Sequence, residues 1–308
     1  MKSPRHIGQL RRRVFRRFTA VLAMVLALTS AQVIATETLL HHVHGLAFSP
    51  DGKQLLIPSH LGIAVYNEGR WSKAPGPRHD YMGFAATKTS LFSSGHPAPG
   101  TGLVNPFGLI RSGDGGRTWE KLGLEGESDF HLLAAGYQTN AIYVYNAARN
   151  SKMDRAGIHY SVNQGLLWRH ADAQGLVGKI AALAAHPTDP ARVAVATDRG
   201  GFLSADSGAR FEQLTGGEQA FAVYFDLDGD HLWVGSYRGR AALARIDLKN
   251  RQAMAMPLPE LTRDAVAYIA QNPRQPSHYA IATLERDVYL SQDAGRRWTA
   301  IARRGMIP

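Results

Sequence analysis

Short apolar runs, separated by Pro, Gly and Asp, recur along most of the chain. Residues 178–214 show the pattern clearly, because the runs KIAALAAHP, ARVAVATD, GGFLSAD and ARFEQL each have the length of a β-strand. The first run is apolar at successive positions, as in a strand buried between neighbours, whereas the outer runs alternate between apolar and polar. Turn-forming residues fill the breaks between the runs. The segment therefore predicts four short strands.

One twelve-residue phrase, written RSGDGGRTWEKL in its first copy, occurs four times. Its central glycines are Gly116, Gly165, Gly208 and Gly295, at intervals of 49, 43 and 87 residues. The last interval is about twice the others, which indicates a unit whose phrase has decayed. A shorter copy, YNEGRWSKA, puts Gly69 47 residues before Gly116. Six units of about 45 residues therefore fill the chain after its N-terminal region.

This repeat predicts an all-β fold, a six-bladed β-propeller of four-stranded antiparallel blades, whose radial closure leaves only short, protected sheet edges. The predicted innermost strands begin near Val43, Met82, His131, Ile180, Phe221 and Val266. The predicted blades cover residues 41–75, 79–124, 129–173, 178–215, 219–258 and 264–304, within a single domain at 36–308. Composition alone, with 44% hydrophobic residues among 308, allows one large domain or two smaller ones.

The repeated phrase has a physical explanation as a turn between the third and fourth strands. A carboxylate at Asp114 can accept backbone N–H groups, and Gly115 and Gly116 can adopt positive φ. Trp119 follows at the start of the outermost strand, where its ring can be buried between adjacent blades. We therefore interpret the polar turn and the aromatic residue as one structural clamp.

The phrase resembles the Asp-box, or BNR repeat, of sialidases, sortilin-like ectodomains and related propellers, including exported proteins described as glycosyl-hydrolase-like. The Asp-box pattern is S-x-D-x-G-x-x-W, and two of the four copies match it in full. Its positions in this chain are Ser112, Asp114, Gly116, Trp119; Ser161, Asn163, Gly165, Trp168; Ser204, Asp206, Gly208, Phe211; and Ser291, Asp293, Gly295, Trp298. The resemblance implies a propeller whose Asp-boxes lie on the face opposite the ligand site.

Positive charge is concentrated at the N-terminus. The formal net charge is +10, but seven of the 35 Lys and Arg residues lie within residues 1–35, which contain no acid. The rest of the chain has 28 basic and 25 acidic residues and is close to neutral. Because a polyphosphate partner needs a dense basic face, we expect no nucleic-acid partner.

Residues 1–35 have the layout of a signal peptide. A basic region through Arg17 precedes the apolar run FTAVLAMVLAL, and small residues then predict cleavage after Ala31 or Ala35. The stretch RRVF also resembles a twin-arginine signal. We expect an exported protein, periplasmic or secreted, attached to a membrane only if the signal is retained. The chain has no Cys, so disulfides do not stabilise it.

The functional site is expected on the face opposite the repeated turns, where the first strands begin. Aligning these strands puts His44, Met82 and His131 at equivalent places around the central channel, with His42 opposite Asp80. Imidazoles with a thioether suit copper, and a His-rich set with a carboxylate suits zinc. The candidate metal ligands are His42, His44, Met82, His96 and His131. The alternative is a set of separate solvated or hydrogen-bonded histidines, since the chain has 13 of them and no HExxH spacing.

A second hypothesis, implied by the sialidase resemblance, is glycoside hydrolysis. A sialidase-type mechanism needs three arginines that hold a carboxylate, a Tyr nucleophile activated by Glu, and an Asp acid. The chain supplies these residue types at Arg78, Asp80, Tyr81, Glu125, Glu127 and Asp129. The catalytic candidates are Asp80, Tyr81 and Glu127. The arginine of the sialidase RIP motif is absent, because Leu56 stands in its place in LLIP.

A binding platform without catalysis requires none of the missing catalytic parts, and we favour it over hydrolysis. Its expected partner is a small ligand, a glycan or another exported protein, with copper or zinc as the candidate cofactor. The candidate ligand-binding residues are Arg78, His79, Asp80, Tyr81 and Asn105. All of them lie in the first half of the chain, which has the richest loops on the expected functional face.

Overall fold

The computed structural model describes residues 40–307, which form an all-β structure of six four-stranded antiparallel sheets. The sheets are the blades of a β-propeller, as the sequence predicts. In each blade the four strands pair in chain order, from the innermost to the outermost. The described residues contain no helix, and therefore none long and apolar enough to cross a membrane. The predicted signal peptide at 1–35 lies outside them.

Each blade is one continuous segment of the chain. Blades 1 to 3 consist of β1 (Ala47–Phe48), β2 (Leu55–Ser59), β3 (Gly62–Asn67), β4 (Arg70–Lys73); β5 (Asp80–Ala86), β6 (Leu91–His96), β7 (Leu109–Ser112), β8 (Glu120–Gly123); and β9 (Leu133–Ala135), β10 (Ile142–Asn146), β11 (Gly157–Ser161), β12 (Arg169–His170).

Blades 4 to 6 consist of β13 (Ile180–Ala185), β14 (Val193–Thr197), β15 (Gly200–Ser204), β16 (Glu212–Gln213); β17 (Gln219–Phe225), β18 (His231–Tyr237), β19 (Ala241–Asp247), β20 (Ala253–Met256); and β21 (Val266–Gln271), β22 (Tyr279–Thr283), β23 (Val288–Ser291), β24 (Thr299–Ala302). Two innermost strands begin at the predicted residues, Ile180 and Val266, and the other four begin within a few residues of them.

The innermost strands β1, β5, β9, β13, β17 and β21 contact one another in a ring around a central channel. They line this channel with small and apolar side chains. Strand β13, which the sequence suggests is buried on both faces, is mostly half-buried because its inner face lines the channel. The alanine-rich composition of these strands lets six of them meet around a narrow hub.

The apolar core is divided into six clusters, and each cluster lies between two adjacent blades. In five of the six, an aromatic residue at the start of an outermost strand packs against the preceding blade. These residues are Trp71, Trp119, Trp168, Phe211 and Trp298. The sixth interface, between blades 4 and 5, is filled by aliphatic residues and Phe225. Packing between blades therefore uses the aromatic part of the repeated phrase.

The polar part of the phrase forms the same turn in four blades. In blade 2, the Ser112 hydroxyl donates to Asp114 Oδ1 at 2.8 Å and accepts the Gly116 N–H at 2.8 Å, while Asp114 accepts the N–H of Thr118 at 3.0 Å. The turns at Ser161, Ser204 and Ser291 repeat these contacts. Two successive residues have positive φ in each turn, Gly115 and Gly116 in blade 2. Asn163 replaces the aspartate in blade 3 without changing the pattern.

Blades 1 and 5 use different turns at this position. In blade 1, Glu68 and Gly69, both at positive φ, form a two-residue hairpin loop between β3 and β4. In blade 5, Asp247 accepts the N–H groups of Lys249 and Asn250. The shorter phrase at Gly69 and the missing phrase in the fifth unit are therefore real structural differences and not poorly matching copies of the same turn.

The ring closes where blade 6 meets blade 1, without exchange of strands. The N–H of Leu40 donates to the carbonyl of Gly305 at 3.1 Å. The Trp71 indole donates to the carbonyl of Ile301 at 3.1 Å, and Leu40 is fully buried in the shared core. Closure therefore depends on packing and hydrogen bonds between the two ends of the described chain.

A matching contact on the face of the repeated turns joins blade 4 to blade 5 and blade 6 to blade 1. His186 Nδ1 accepts the N–H groups of residues 188 and 189, and Nε2 donates to the Gly229 carbonyl at 3.0 Å. Asn272 Oδ1 likewise accepts the N–H groups of residues 274 and 275, and its Nδ2 donates to the Gly52 carbonyl at 2.8 Å. A Cβ at Gly229 or Gly52 would lie 2.4 Å from the His186 or Asn272 side chain. The two glycines allow this close approach.

We expect Trp119→Ala to lower the free energy of unfolding by about 3 kcal/mol, near the lower end for loss of a buried aromatic ring because this ring is half-buried. The ring lies 5.0 Å from that of Tyr81 and packs in the core between blades 1 and 2. Urea denaturation would measure the change, with the exposed Lys121→Ala as control. Equal stability of the Trp119 variant and the wild type would contradict the clamp between blades.

We expect His186→Asn to keep the stability at pH 7.5 and to reduce its loss in acid. Burial lowers the pKa of His186 below its ordinary value of 6.5. Protonation therefore favours the unfolded state, so this contribution to stability is present above pH 6.5 and is lost as the pH falls toward the folded-state pKa. Denaturation at pH 7.5 and 5.5 would compare the two proteins. An identical pH dependence in both would show that His186 is not responsible.

Candidate functional site

The mouth of the channel that lies opposite the repeated turns carries most of the candidate residues. Strand direction alternates across each blade, so the repeated turns lie at the ends of the innermost strands. The starts of those strands and the loops between second and third strands lie on the other face. His44 and His131 line the channel at this end. The predicted location of the candidate site thus follows from the connectivity of the blades.

Three histidines, His42, His44 and His60, form a group that we call the three-imidazole cluster. One ring nitrogen from each lies within 4.8 Å of the others. His44 Nε2 lies 3.4 Å from His60 Nδ1, and the rings of His42 and His44 are parallel with centroids 5.7 Å apart. Asp80 adjoins the cluster, with Oδ2 at 2.8 Å from His60 Nδ1 and Oδ1 at 3.8 Å from His44 Nε2.

Local backbone structure explains why these rings meet. Side chains two residues apart in an extended segment point the same way, which places His42 beside His44. The N–H of His44 donates to the Pro58 carbonyl at 3.1 Å and holds this segment against the end of β2. His60 occupies the two-residue loop that follows β2. Asp80, the first residue of β5, brings in a carboxylate from the next blade.

The electrostatics of this site favour the neutral form of the His42 and His44 rings. Burial, and then the neighbouring His60, lower the pKa of His44 to about 4. The pKa of His42 is also lowered, chiefly by burial and by His60. Asp80 Oδ1 is buried and has no hydrogen-bond partner among the described residues. His42 and His44 therefore favour the neutral form that a metal ligand needs, beside an incompletely satisfied carboxylate.

A second group, His96, Asp129 and His131, lies at the same mouth, and we call it the Asp129 cluster. Asp129 Oδ2 is 3.1 Å from His96 Nε2 and 2.5 Å from His131 Nε2. One ligand atom from each residue lies within 4.8 Å of the others. His96 ends β6, and the other two residues precede β9, so blades 2 and 3 together build this group. The candidate histidines thus separate into two clusters.

The remaining candidate ligand, Met82, lies on β5 two residues after Asp80, and its side chain is buried. Asn105 lies beside His96, where its Oδ1 is 2.7 Å from the ring Nδ1. Arg78 is exposed in the segment before β5 and packs beside Gly62, next to the loop that carries His60. Asn105 thus adjoins the Asp129 cluster, and Arg78 adjoins the loop of the three-imidazole cluster.

Three other candidates, Tyr81, His79 and Glu127, make contacts that stabilise the fold. Tyr81 is only 1% exposed, packs in the core between blades 1 and 2, and donates its hydroxyl to the Pro77 carbonyl at 3.0 Å. Burial raises the pKa of Tyr81 well above its ordinary value. His79 is buried against Phe107, and its Nδ1 accepts the N–H of Ala98. These contacts direct both side chains into the protein and away from the mouth.

Glu127 is held by the loop that follows β10. Its carboxylate accepts the N–H of Ser151 at 2.6 Å and the Ser151 hydroxyl at 2.8 Å, and these hydrogen bonds lower its pKa. The carboxylate is thereby engaged in fixing a loop of blade 3. Glu125 forms an ion pair with Lys121 at 2.5 Å.

The channel behind the clusters is a cavity of about 250 Å³ with a mostly apolar lining. Small side chains such as those of Ala134 and Ala182 line its walls, and His44 and His131 are the histidines among its lining residues. A ligand in the cavity would therefore meet apolar walls and, at this mouth, one imidazole from each cluster.

A third group of possible metal ligands, Asp226, Asp228 and His231, has a different character. Asp226 is fully buried at the end of β17, on the face of the repeated turns. Its oxygens accept hydrogen bonds from Trp233 at 2.6 Å, from Tyr279 at 2.7 Å and from Arg245 at 2.6 and 2.8 Å. Because both oxygens are satisfied and neutralised by protein groups, we interpret this network as structural.

We expect Asp226→Ala to lower the free energy of unfolding by about 3–5 kcal/mol, because it leaves the Arg245 guanidinium and two further donors without their acceptor. Asp228→Ala, at an exposed residue of the same loop, is the matched control. Its expected loss is about 1 kcal/mol or less. Thermal or urea unfolding would measure both losses. Similar losses in the two variants would contradict the structural role of Asp226.

The sequence did not identify two members of the clusters, His60 and Asp129, as metal ligands. His60 had a usable signal, since it directly follows a predicted second strand and so lies in a loop on the functional face. In the sequence, Asp129 is one of several acidic residues in EGESD, and nothing there distinguishes it from the others. Only the fold shows that it lies beside two histidines. It lies two residues before His131 and next to His96 across the boundary between two blades.

Comparison with known proteins supports the fold. No protein-family model and no curated protein matches the chain. A chain of a nidogen–laminin complex is similar, with TM-score 0.57 and 10% identity, over 80% of this chain and 91% of that one. The extracellular domain of a one-component system from B. thetaiotaomicron has TM-score 0.52 and 12% identity, over 85% and 33% of the two chains.

An ancestral GH74 enzyme is also similar, with TM-score 0.51 and 12% identity, over 83% of this chain and 37% of that one. The present chain thus spans only about a third of the length of these last two proteins. Likeness at such low identity establishes a common propeller fold and leaves the function to be argued from the site.

Proposed function

We propose that this protein is an exported metal-binding propeller, and that His42, His44 and His60 bind a divalent ion of the zinc or copper class at the channel mouth. The observation that carries the proposal is the convergence of these three imidazoles. They come from two separate segments of blade 1, yet one nitrogen from each lies within 4.8 Å of the other two. Imidazole nitrogen is a preferred ligand for both metals.

The spacing of the nitrogens supports this assignment. Two ligands of a tetrahedral ion lie about 3.4 Å apart when their bonds to the metal are about 2.0–2.1 Å long. His44 Nε2 and His60 Nδ1 already lie 3.4 Å apart. His42 lies on the same side of the segment as His44, and its exposed ring can rotate toward the other two. The cluster therefore needs only small side-chain movements to enclose an ion.

The charge balance also supports a cation. Asp80 supplies a carboxylate whose Oδ1 is buried without a hydrogen-bond partner among the residues described. A buried oxygen left unsatisfied costs free energy, and a cation beside it removes that cost. The low pKa of His44 keeps its ring neutral near pH 7, as a metal ligand must be. Three nitrogen ligands also leave a coordination position for Asp80, water or a bound molecule.

The wider role that we propose is a binding platform outside the cytoplasm. The signal-like residues 1–35 support export, and the four turns with their Ser, Asp or Asn, and Gly contacts support membership of the Asp-box propellers. The partner is a small molecule, a glycan or an exported protein that reaches the mouth. Glycoside hydrolysis has less support, because Tyr81 is buried and Glu127 is held by Ser151.

We expect the apo protein to bind Zn²⁺ or Cu²⁺ and the triple variant His42→Ala, His44→Ala, His60→Ala to lose the ion bound at this cluster. Isothermal titration with each metal, together with metal analysis after dialysis, would measure binding. The bound ion should also stabilise the fold by about 2.7 kcal/mol when free metal is 100-fold above Kd. His41→Ala, an exposed residue beside His42, is the matched control and should bind normally. Failure of the wild type to bind either metal would overturn the proposal.

A further inference from the structure

The Asp129 cluster is a second group of metal-ligand type, and it differs in chemistry from the three-imidazole cluster. It offers two imidazoles and one carboxylate, contributed by two blades. Asp129 is 19% exposed, whereas His96 and His131 are 37% and 60% exposed. The carboxylate therefore lies at the base of the group, and the rings lie between it and solvent.

The carboxylate of Asp129 is only half satisfied. Both imidazoles approach the same oxygen, Oδ2. The other oxygen, Oδ1, is buried and has no hydrogen-bond partner among residues 40–307. An unsatisfied buried carboxylate oxygen is costly, and the ion pairs of Asp129 with His96 and His131 both use Oδ2 and leave Oδ1 without a partner. A cation held by the carboxylate would remove this cost.

The hydrogen bonding of His96 also fits that of a metal ligand. Asn105 Oδ1 lies 2.7 Å from Nδ1 of the His96 ring, and because that oxygen can only accept, Nδ1 carries the proton. The other ring nitrogen, Nε2, lies 3.1 Å from Asp129 Oδ2. Two electron-rich atoms at this distance require a proton or a metal ion between them. Donation from the second ring nitrogen to an amide oxygen is also the usual support of a metal-bound histidine.

Blade 2 connects the surroundings of the two clusters, because it carries both Asp80 and His96. Asp80 and His96 are directly paired across β5 and β6. Side chains of paired residues share a face of the sheet, with Cβ atoms roughly 5 Å apart. His44 and His131 both line the same channel. The ligand atoms nevertheless form two separate groups, one around each carboxylate.

We propose that His96, Asp129 and His131 form a second metal site, so that the mouth binds two ions side by side in sites of different ligand type. The proposal extends the proposed function, since it rests on metal binding as the role of this mouth. Two imidazoles and one carboxylate fill three positions and leave others open to solvent. This second ion, like the first, therefore keeps a position for a donor atom of a bound molecule.

Metal stoichiometry tests the proposal on the purified full chain. Apo protein is titrated with Zn²⁺ and with Cu²⁺, and bound metal is measured after equilibrium dialysis. We expect two ions per chain in the wild type and in a control with His41→Ala and His278→Ala. One ion should remain in the double variant His96→Ala, His131→Ala, and one in the triple variant of the three-imidazole cluster. Circular dichroism and thermal unfolding would establish that each variant is folded.

Asp129→Asn is a milder second variant, because it retains hydrogen bonding to the rings and removes the charge. We expect it to weaken the affinity of one of the two binding steps by more than about tenfold. Loss of a group that only supports a metal ligand already lowers metal affinity by about tenfold or more. The other step should be unchanged.

The outcomes separate the two proposals. One ion per chain, lost only in the triple variant, would overturn the second site and leave the proposed function intact. If the wild type binds a single ion and both the double variant and the triple variant lose it, the two clusters form one shared site. That result would also overturn the second site. No bound ion in the wild type would overturn both proposals.

Discussion

The structure depends on the packing of one blade against the next. A single four-stranded sheet of this size cannot bury its apolar faces, so each blade is stable only between two neighbours. Aromatic residues at the start of the outermost strands fill five of the six interfaces. In four of these blades, a polar turn directly precedes the aromatic residue and fixes where its side chain enters the interface. Only a closed ring covers every apolar face.

Closure of the ring also creates the candidate site. Every innermost strand runs in the same direction, so the residues before these strands meet at one mouth although they are far apart in the sequence. His44 and His131, which belong to blades 1 and 3, thus line one channel. A carboxylate links neighbouring blades at each cluster: Asp80 of blade 2 contacts His60 of blade 1, and Asp129 of blade 3 contacts His96 of blade 2. The chemistry of the mouth is therefore a product of the ring and not of any local motif.

Much of the fold could be predicted from the sequence because the turn is set by local chemistry. The hydroxyl of Ser112, the carboxylate of Asp114 and the positive φ of Gly116 act within a few residues, so their spacing survives in the sequence. The turns of blades 1 and 5 satisfy their backbone with other residues, so blade 1 shows only the shorter phrase at Gly69 and blade 5 shows none. Tyr81 resembled a residue of the mouth in the sequence, yet the strand turns its ring into the core. Residue type alone could not reveal that direction.

The seam between blades 6 and 1 has a particular mechanical consequence. Every other pair of adjacent blades is linked by the continuous chain, whereas this pair is held by contacts such as those of Leu40 and Trp71. Local opening of the propeller should therefore begin at this seam. Amide hydrogen exchange should then be faster at the seam than at the other five interfaces between blades. The segment carrying His42 and His44 begins at this seam. An ion bound by His42, His44 and His60 would fix this segment to the rest of blade 1, and so hold Leu40 in position for its hydrogen bond to Gly305 of blade 6.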